Sequence, residues 1–404
     1  MTLAIHLSIV VTTPALYSVI SRNCLWVALV LNLALPGAAT AQASAPDDVP
    51  TLVAKARADS NDPIAHFALA VAYLEKKQYA EGEAALHEAI AIDPQFAPGY
   101  FYLSAIPRKR SVHRILANWR GMPEAITVIG DDSVARESRR LAHVAFLLNP
   151  MLDLGRPTRW EIPLAWAGGT AQAMDDFREG RFQQAYDRLT DLMARSSGKS
   201  DSVAAIFIWY HALSAAHLSL FDIAIKDVDR LRLRAEHNAS LQMAFARTPR
   251  SADDYTFVVA FVQQIAGHRE DAIQAYQELL ERNIGVYTAH IRLAEIHEQQ
   301  QDWPLAVEER QRAVATNPED PSLVFDLGAT LQRAGRNAEA VPELSRSIEL
   351  NPRETLAYYA LGVADLALGR SAEARVALQQ FIALAPSRYQ SQIFDAKWRL
   401  AQSP

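Results

Sequence analysis

A period of 34 residues runs through the C-terminal half of the chain and limits what it can fold into. Four successive windows begin at Asp253, Tyr287, Pro321 and Thr355. The twentieth place of each window is alanine, at Ala272, Ala306, Ala340 and Ala374, and the eighth place is alanine or glycine. Apolar residues recur at steps of three and four, which indicates one buried stripe on each helix. The period therefore predicts pairs of helices that pack closely at their small residues.

Glycine and proline mark the ends of these helices. The fifteenth place holds Gly267, Gly335 and Gly369 in three of the windows and Gln301 in the other. Glycine adopts a left-handed backbone without a Cβ clash, so it predicts the end of the first helix. Pro318, Pro352 and Pro386 occupy the thirty-second place, where proline stops the second helix and leads into the next pair.

These residue types at this spacing resemble the tetratricopeptide repeat (TPR) family. An earlier window, Pro63 to Pro94, fits as well, with Gly82 in place of the small alanine, and two looser windows begin near Trp166 and Ala205. The resemblance implies an all-α fold, a TPR α-solenoid in which helix-turn-helix pairs stack into a right-handed superhelix. An irregular insertion is expected between two repeat arrays.

The pattern predicts seven consecutive segments. They are a signal peptide (1–43), a linker (44–62), an N-terminal TPR (63–96), an irregular or divergent helical insertion (97–165), degenerate TPR-like helices (166–252), four contiguous TPRs (253–386) and a C-terminal capping helix (387–404). Within the insertion, a helix is predicted from about Ser133 to Asn149. Tyr389, Ile393 and Leu400 share one face of the capping helix.

The N-terminus has the features of an export signal. Arg22 precedes an apolar run of about a dozen residues, and the small residues that follow offer two A-x-A cleavage sites, ending at Ala41 and Ala43. Cleavage predicts a periplasmic or secreted protein. The alternative is an uncleaved N-terminal membrane anchor. Cys24, the only cysteine, lies in this signal, so the mature chain has no thiol for a disulfide or a metal.

The insertion contains a basic cluster, with Arg108, Lys109, Arg110 and Arg114 as its central residues. Such a patch could attract an anionic ligand such as a polysaccharide, a phospholipid headgroup or an acidic partner. Besides another protein, the predicted partners therefore include an envelope polysaccharide or a membrane-associated complex. The alternative is a solvated helix face whose charge is offset by nearby acids.

No catalytic, metal or cofactor site emerges from the remaining motifs. Gly198-Lys199-Ser200 lacks the first glycine of a phosphate-binding loop, and Ser196-x-x-Lys199 lacks its companion motifs. The histidines show no metal-binding spacing. A net charge of −6 without a basic tail gives no argument for nucleic acid. The chain is accordingly predicted to be non-enzymatic.

The resemblance implies that the first helix of each pair lines a concave groove. Its expected binding residues combine aromatic anchors with polar groups. They are Phe257, Phe261, Arg292, Glu295, Gln299, Phe325, Gln332 and Tyr359.

The predicted function is a protein-interaction scaffold or adaptor of the bacterial cell envelope that binds a peptide or helix in this groove. The alternatives are a factor for polysaccharide export or outer-membrane assembly, and an enzyme whose site lies in residues 107–165.

Overall fold

The computed structural model describes residues 48–119, 122–129, 132–152, 169–196, 201–237 and 251–402. The predicted signal peptide and part of the linker lie outside these residues. Within the described residues, no helix is both long and apolar enough to span a membrane.

The N-terminal segment, residues 48–152, contains five helices and one hairpin. Its helices are α1 (Val49–Ala58), α2 (Pro63–Glu75), α3 (Tyr79–Ile92), α4 (Ala97–Ser111) and α5 (Asp132–Leu148). Strands β1 (Val112–Trp119) and β2 (Met122–Ile129) pair antiparallel between α4 and α5. The Asp62 carboxylate accepts a hydrogen bond from the Ile64 amide and Pro63 follows it directly, so the start of α2 is capped.

The insertion is a helix pair with a hairpin in its turn. α4 begins at Ala97, 34 residues after α2 begins at Pro63, and it packs against α5. The buried Ser104 stands at the eighth place of this window, and its carbonyl accepts a hydrogen bond from the Ser138 hydroxyl of α5. The repeat period therefore continues past residue 96, with strands occupying what is a short turn in the other pairs.

Four further helices make up the middle of the described chain. They are α6 (Gly169–Arg178), α7 (Phe182–Ser196), α8 (Asp201–His217) and α9 (Phe221–His237). Phe177, Leu189, Trp209 and Leu231 lie in their shared core, which also includes Tyr255 and Val258 of the following helix.

The C-terminal array consists of four helix pairs. They are α10 (Ala252–Ala266) with α11 (Arg269–Arg282), α12 (Tyr287–Gln299) with α13 (Trp303–Thr316), α14 (Pro321–Arg333) with α15 (Asn337–Leu350), and α16 (Thr355–Ala367) with α17 (Ser371–Leu384). A 3-10 turn at Ser387–Tyr389 leads to α18 (Gln390–Gln402), which packs on α17. These stacked helix pairs are the all-α solenoid that the TPR resemblance implies.

The small residues of the repeat lie where two helices of a pair approach most closely. A Cβ atom built on Gly328 would come within 2.7 Å of Leu344 Cγ, and one built on Gly362 would come within 2.6 Å of Leu378 Cγ. The fifteenth place has a left-handed backbone, with φ of 85° at Gly267. Gln301, at the same place of the next window, adopts φ of 60° even though it has a side chain.

Candidate functional site

The predicted binding residues all lie on the first helices of the four pairs, α10, α12, α14 and α16. We call the face formed by these helices the inner face. Gln299 is exposed on it, and Gln332 and Tyr359 are half-buried. The other five side chains are buried, with exposed fractions between 1% and 7%; they are Phe257, Phe261, Arg292, Glu295 and Phe325. Of the eight predicted residues, those that keep accessible area are therefore two glutamines and one tyrosine.

The aromatic residues Phe257 and Phe261 pack against other parts of the chain. The Phe257 ring lies edge-on to Tyr276, with centroids 5.8 Å apart, and to Phe146 of α5, with centroids 6.2 Å apart. The Arg292 guanidinium lies 5.0 Å above the Phe261 ring, a cation–π distance. These contacts account for the burial of both phenylalanines.

Polar side chains of α10, α11 and α12 form a hydrogen-bonded chain beside these rings. Arg292 Nη1 lies 3.0 Å from Glu295 Oε2, and Gln264 Nε2 donates to the same carboxylate oxygen at 3.2 Å. The hydroxyl of Tyr276 donates to Gln264 Oε1 at 3.0 Å. Burial raises the pKa of Tyr276 well above its usual value, so the phenol stays a hydrogen-bond donor.

A buried ionic cluster lies one repeat further along. Arg310 of α13, only 3% exposed, donates to Glu298 Oε1 at 3.0 Å and to Asp326 Oδ2 at 3.0 Å. Thr330 donates to Glu298 Oε1 at 2.6 Å, and Arg333 Nη2 lies 2.9 Å from Glu298 Oε2. The cluster joins α12, α13 and α14 through charges that are paired rather than solvated.

The balance of charges in this cluster keeps it ionised. Burial alone would raise the pKa of Glu298, but the positive charges of Arg310 and Arg333 and the hydrogen bonds from Thr330 and Arg310 outweigh it and lower the pKa. Burial alone would lower the pKa of Arg310, and the neighbouring carboxylates of Glu298 and Asp326 raise it overall. Separating the members of such a buried ion pair would leave a charged group desolvated and without a partner. The pair therefore stabilises one relative arrangement of its helices.

The sequence contained a signal for this cluster. Arg310 stands at the twenty-fourth place of its window, where the other three windows have Tyr276, Leu344 and Leu378 in the core. A charge at a core place predicts a buried partner of opposite charge.

Tyr359 connects the inner face to α18. Its hydroxyl donates to Asp395 Oδ2 at 2.7 Å, and its ring packs on Phe381 with centroids 5.1 Å apart. Burial, with the hydrogen bond to the Asp395 carboxylate, raises the pKa of Tyr359. The residue is therefore held in place before any ligand arrives.

A Thr-His-Asp contact in the middle helices was not predicted from the sequence. His211 Nδ1 lies 2.5 Å from Asp227 Oδ2, and His211 Nε2 lies 3.0 Å from Thr190 Oγ1. Thr190 is in the middle of α7, where its hydroxyl also donates to the Tyr186 carbonyl, so its backbone amide is part of the helix and forms no oxyanion hole. His290 and Glu309 make a similar contact at 2.6 Å between α12 and α13. Both pairs join the two helices of one repeat.

The predicted basic cluster spans the end of α4 and the start of β1. The backbone of Arg108, Lys109 and Arg110 lies in α4 and that of Arg114 in β1, while their side chains lie outside what the structure describes. In the described part of the chain, no group of three or more His, Cys, Asp or Glu side chains is arranged to hold a metal ion.

Family models support the repeat assignment. One model for the tetratricopeptide repeat matches residues 266–321 and 325–389, and a second matches residues 63–96. This chain is a tetratricopeptide-repeat protein. Its TPRs make it a protein-interaction scaffold in the broad sense of that family. No curated protein matches it significantly in sequence.

Several solved structures resemble parts of this TPR protein. A MamA structure (AMB-1) is 17% identical with a TM-score of 0.35, covering 46% of this chain and 93% of its own. YrrB, described as a TPR protein with an unusual peptide-binding site, is 17% identical with a TM-score of 0.38, covering 52% of this chain and 97% of its own. The C-terminal part of a TPR repeat-containing protein from Cytophaga hutchinsonii is 16% identical with a TM-score of 0.44, covering 56% and 83% respectively. At these identities and TM-scores, the similarities carry no information about the partners of this chain.

Proposed function

We propose that this TPR protein is a non-enzymatic adaptor of the cell envelope that binds a peptide or helix of another protein on its inner face. The observation that supports this most is the continuity of the C-terminal array: four helix pairs present one inner face from α10 to α16. Gln299, Gln332 and Tyr359 keep accessible area on that face, and Arg333 is 22% exposed. Amide and guanidinium donors together with an aromatic side chain suit recognition of a peptide backbone and one or two anchoring side chains.

The preformed ionic cluster makes the inner face a rigid binding surface. Glu298, Arg310 and Asp326 fix the relative positions of three consecutive helices before a ligand binds. Because these side chains are already ordered, binding of a ligand costs no further conformational entropy there. A modest number of direct contacts can then give a stable complex.

Photocrosslinking tests this proposal. A photoreactive amino acid at Gln299 or Gln332 should crosslink the same partner, identified by mass spectrometry, in cells that express the chain. Val376 on α17 is the matched control, because it is 62% exposed and lies outside the inner face. Adducts from Val376 alone, or none from either inner-face position, would refute the proposal.

The envelope location rests on the export signal and has its own test. N-terminal sequencing of the mature protein should give a chain that starts just after Ala41 or Ala43. A mature chain that keeps residues 1–43 would instead support the membrane-anchored alternative.

A further inference from the structure

Part of the inner face is in contact with the chain itself. The C-terminal end of α5 lies against the first helices of two repeats. Phe146 packs on Phe257, and Phe146 and Leu147 join the apolar cluster around Tyr276 and Leu293. Arg292 Nη2 donates a 2.6 Å hydrogen bond to the carbonyl of Leu148.

The contact with Leu148 has the chemistry of a helix cap. Leu148 is the last residue of α5, and the final four carbonyls of a helix have no partner inside that helix. They also carry the negative end of the helix dipole, which a cation stabilises. Arg292 thus supplies both a hydrogen-bond donor and a positive charge to the C-terminal end of α5. Phe146, two residues before that end, packs on the ring of Phe257.

The same kind of contact recurs between the first and last parts of the described chain. Asn351 Nδ2 lies 3.3 Å from the Ala91 carbonyl and 3.4 Å from the Ile92 carbonyl, at the end of α3. In the opposite direction, Asn61 Nδ2 donates to the carbonyl of Leu384, the last residue of α17, at 3.1 Å. Side-chain donors on helix-end carbonyls are therefore a recurring contact between the N-terminal segment and the C-terminal array.

The other contacts between these two parts are mostly polar. Arg353 donates to the Ser60 carbonyl at 2.7 Å, to Asn61 Oδ1 at 3.1 Å and to Glu88 Oε2 at 2.8 Å. Arg388 pairs with Asp62 at 3.1 Å. Polar contacts of this kind are typical of interfaces between parts of a chain that can separate.

The N-terminal segment also has an apolar core of its own. Leu69, Leu86, Phe101, Ile106 and Leu141 belong to this core, which is separate from the apolar clusters of the array. Phe146 and Leu147 are the α5 residues that pack into the α10–α12 cluster. Withdrawal of Phe146 and Leu147 would therefore leave the core of the N-terminal segment in place. It would uncover the apolar surface around Phe257, which the aromatic side chain of a partner helix could cover instead.

We propose that the inner face recognises the C-terminal end of a helix that carries an aromatic residue two positions before its last residue, and that α5 is its ligand within the chain. A partner helix end of the same chemistry binds by displacing α5. This inference rests on the proposed function, since it specifies what the inner face binds and how access to it is controlled.

A peptide-binding experiment tests it. The probe is a fluorescent peptide with the sequence of residues 132–152, measured by anisotropy against the mature full chain and against its Phe146→Ala variant. A tethered ligand acts at an effective concentration in the millimolar range, so α5 should exclude the peptide from the wild-type chain. The Phe146→Ala chain, whose own α5 binds more weakly, should bind the peptide at least tenfold more tightly.

Two controls keep the result interpretable. A second peptide, which carries the Phe146→Ala change, should bind the Phe146→Ala chain at least tenfold more weakly than the first peptide does. In a second variant, Arg353→Ala, the N-terminal segment is held more loosely while the sequence of α5 is unchanged. This chain should also bind the first peptide more tightly than wild type. Circular dichroism verifies that each variant is folded.

The outcomes separate the two proposals. Equal affinity of wild-type, Phe146→Ala and Arg353→Ala chains for the peptide would overturn displacement of α5 while leaving helix binding on the inner face intact. Equal affinity for the two peptides would overturn recognition of the aromatic residue. No binding to any folded chain would overturn both the inference and the proposed helix-binding function.

Discussion

The side chain of Arg292 and the carbonyl of Leu148, separated by 144 positions in sequence, form a 2.6 Å hydrogen bond. This contact joins the face on which a TPR array is expected to bind partners to a helix of the same chain. The inner face is therefore both a candidate binding surface and an internal interface.

Replacing Arg310 should strongly destabilise the array. The Arg310→Ala change leaves Glu298 and Asp326 buried without their shared partner, and breaking a buried pair in this way costs about 3–5 kcal/mol. Urea denaturation followed by circular dichroism measures the loss. Arg312→Ala is the matched control on the same helix, because this arginine is 52% exposed and its ion pairs should contribute about 1 kcal/mol or less. Equal effects of the two changes would contradict the role of the buried cluster.

Adding one methyl group at Gly328 should also destabilise the array. The new Cβ would lie within 2.7 Å of Leu344 Cγ and 3.1 Å of the Leu344 amide nitrogen, so the two helices of the pair must move apart. Overpacking of this kind costs about 1–3 kcal/mol. Gly285→Ala is the control, since its nearest neighbour would lie at an ordinary 3.5 Å. Thermal melting of both variants distinguishes them, and an unchanged melting temperature for Gly328→Ala would show that the contact is looser than described.

The middle helices should lose stability as the pH falls from about 6.5 to about 4. Burial lowers the pKa of His217 from 6.5 to about 4, and its ring stacks on Phe182 with centroids 4.0 Å apart. The unfolded chain binds this proton near pH 6.5, whereas the folded chain resists it until about pH 4, so the unfolded state gains stability across that range. The shift corresponds to at most about 3 kcal/mol.

His217→Phe provides the control for this pH dependence. Phenylalanine keeps the stacked ring but cannot titrate, so the variant should lose less stability between pH 6.5 and pH 4 than wild type. Urea denaturation at a series of pH values measures this difference. The same slope in both proteins would assign the acid sensitivity to other groups.

Removing Arg353 should loosen the N-terminal segment while leaving the array folded. Its guanidinium contacts Ser60, Asn61 and Glu88, which lie in or beside the α1–α2 turn and on α3. Hydrogen–deuterium exchange of Arg353→Ala should therefore speed up around residues 59–62 and 88–96 and remain unchanged in α14 and α15. Arg346→Ala is the control because, within the described residues, the Arg346 guanidinium contacts Pro318 and Glu343, which both belong to the array. Faster exchange in the same turns for Arg346→Ala would mean that the effect is not local.

The repeat was the part of the fold that the sequence predicted well. Small residues at the eighth and twentieth places and left-handed residues such as Gly267 at the fifteenth are short-range requirements, so each window shows them directly. The α4–α5 pair was harder to recognise, because Ser104 replaces the usual small residue and a hairpin separates its helices.

The sequence predicted which residues lie on the first helices of the array, but it did not predict which of those side chains are accessible to solvent. The spacing placed Phe257 and Arg292 on the first helices, where they lie, yet nothing local to either residue signals that α5 covers them. That contact depends on how a helix more than 100 residues earlier packs, which periodicity does not encode. The buried cluster had one visible sign, the charge of Arg310 at a core place.

A distance measurement between α5 and the array tests the central claim most directly. Cys24 is the only cysteine, so a mature chain cleaved after Ala41 or Ala43 would accept spin labels at cysteines introduced for Arg139 of α5 and Glu278 of α11, both exposed. Pulsed electron paramagnetic resonance should show one narrow distance in the mature chain, and in the Arg353→Ala variant a longer distance should appear as the residue 132–152 peptide is added. A broad distribution without peptide, or a distance that stays the same when the peptide is bound, would contradict the account.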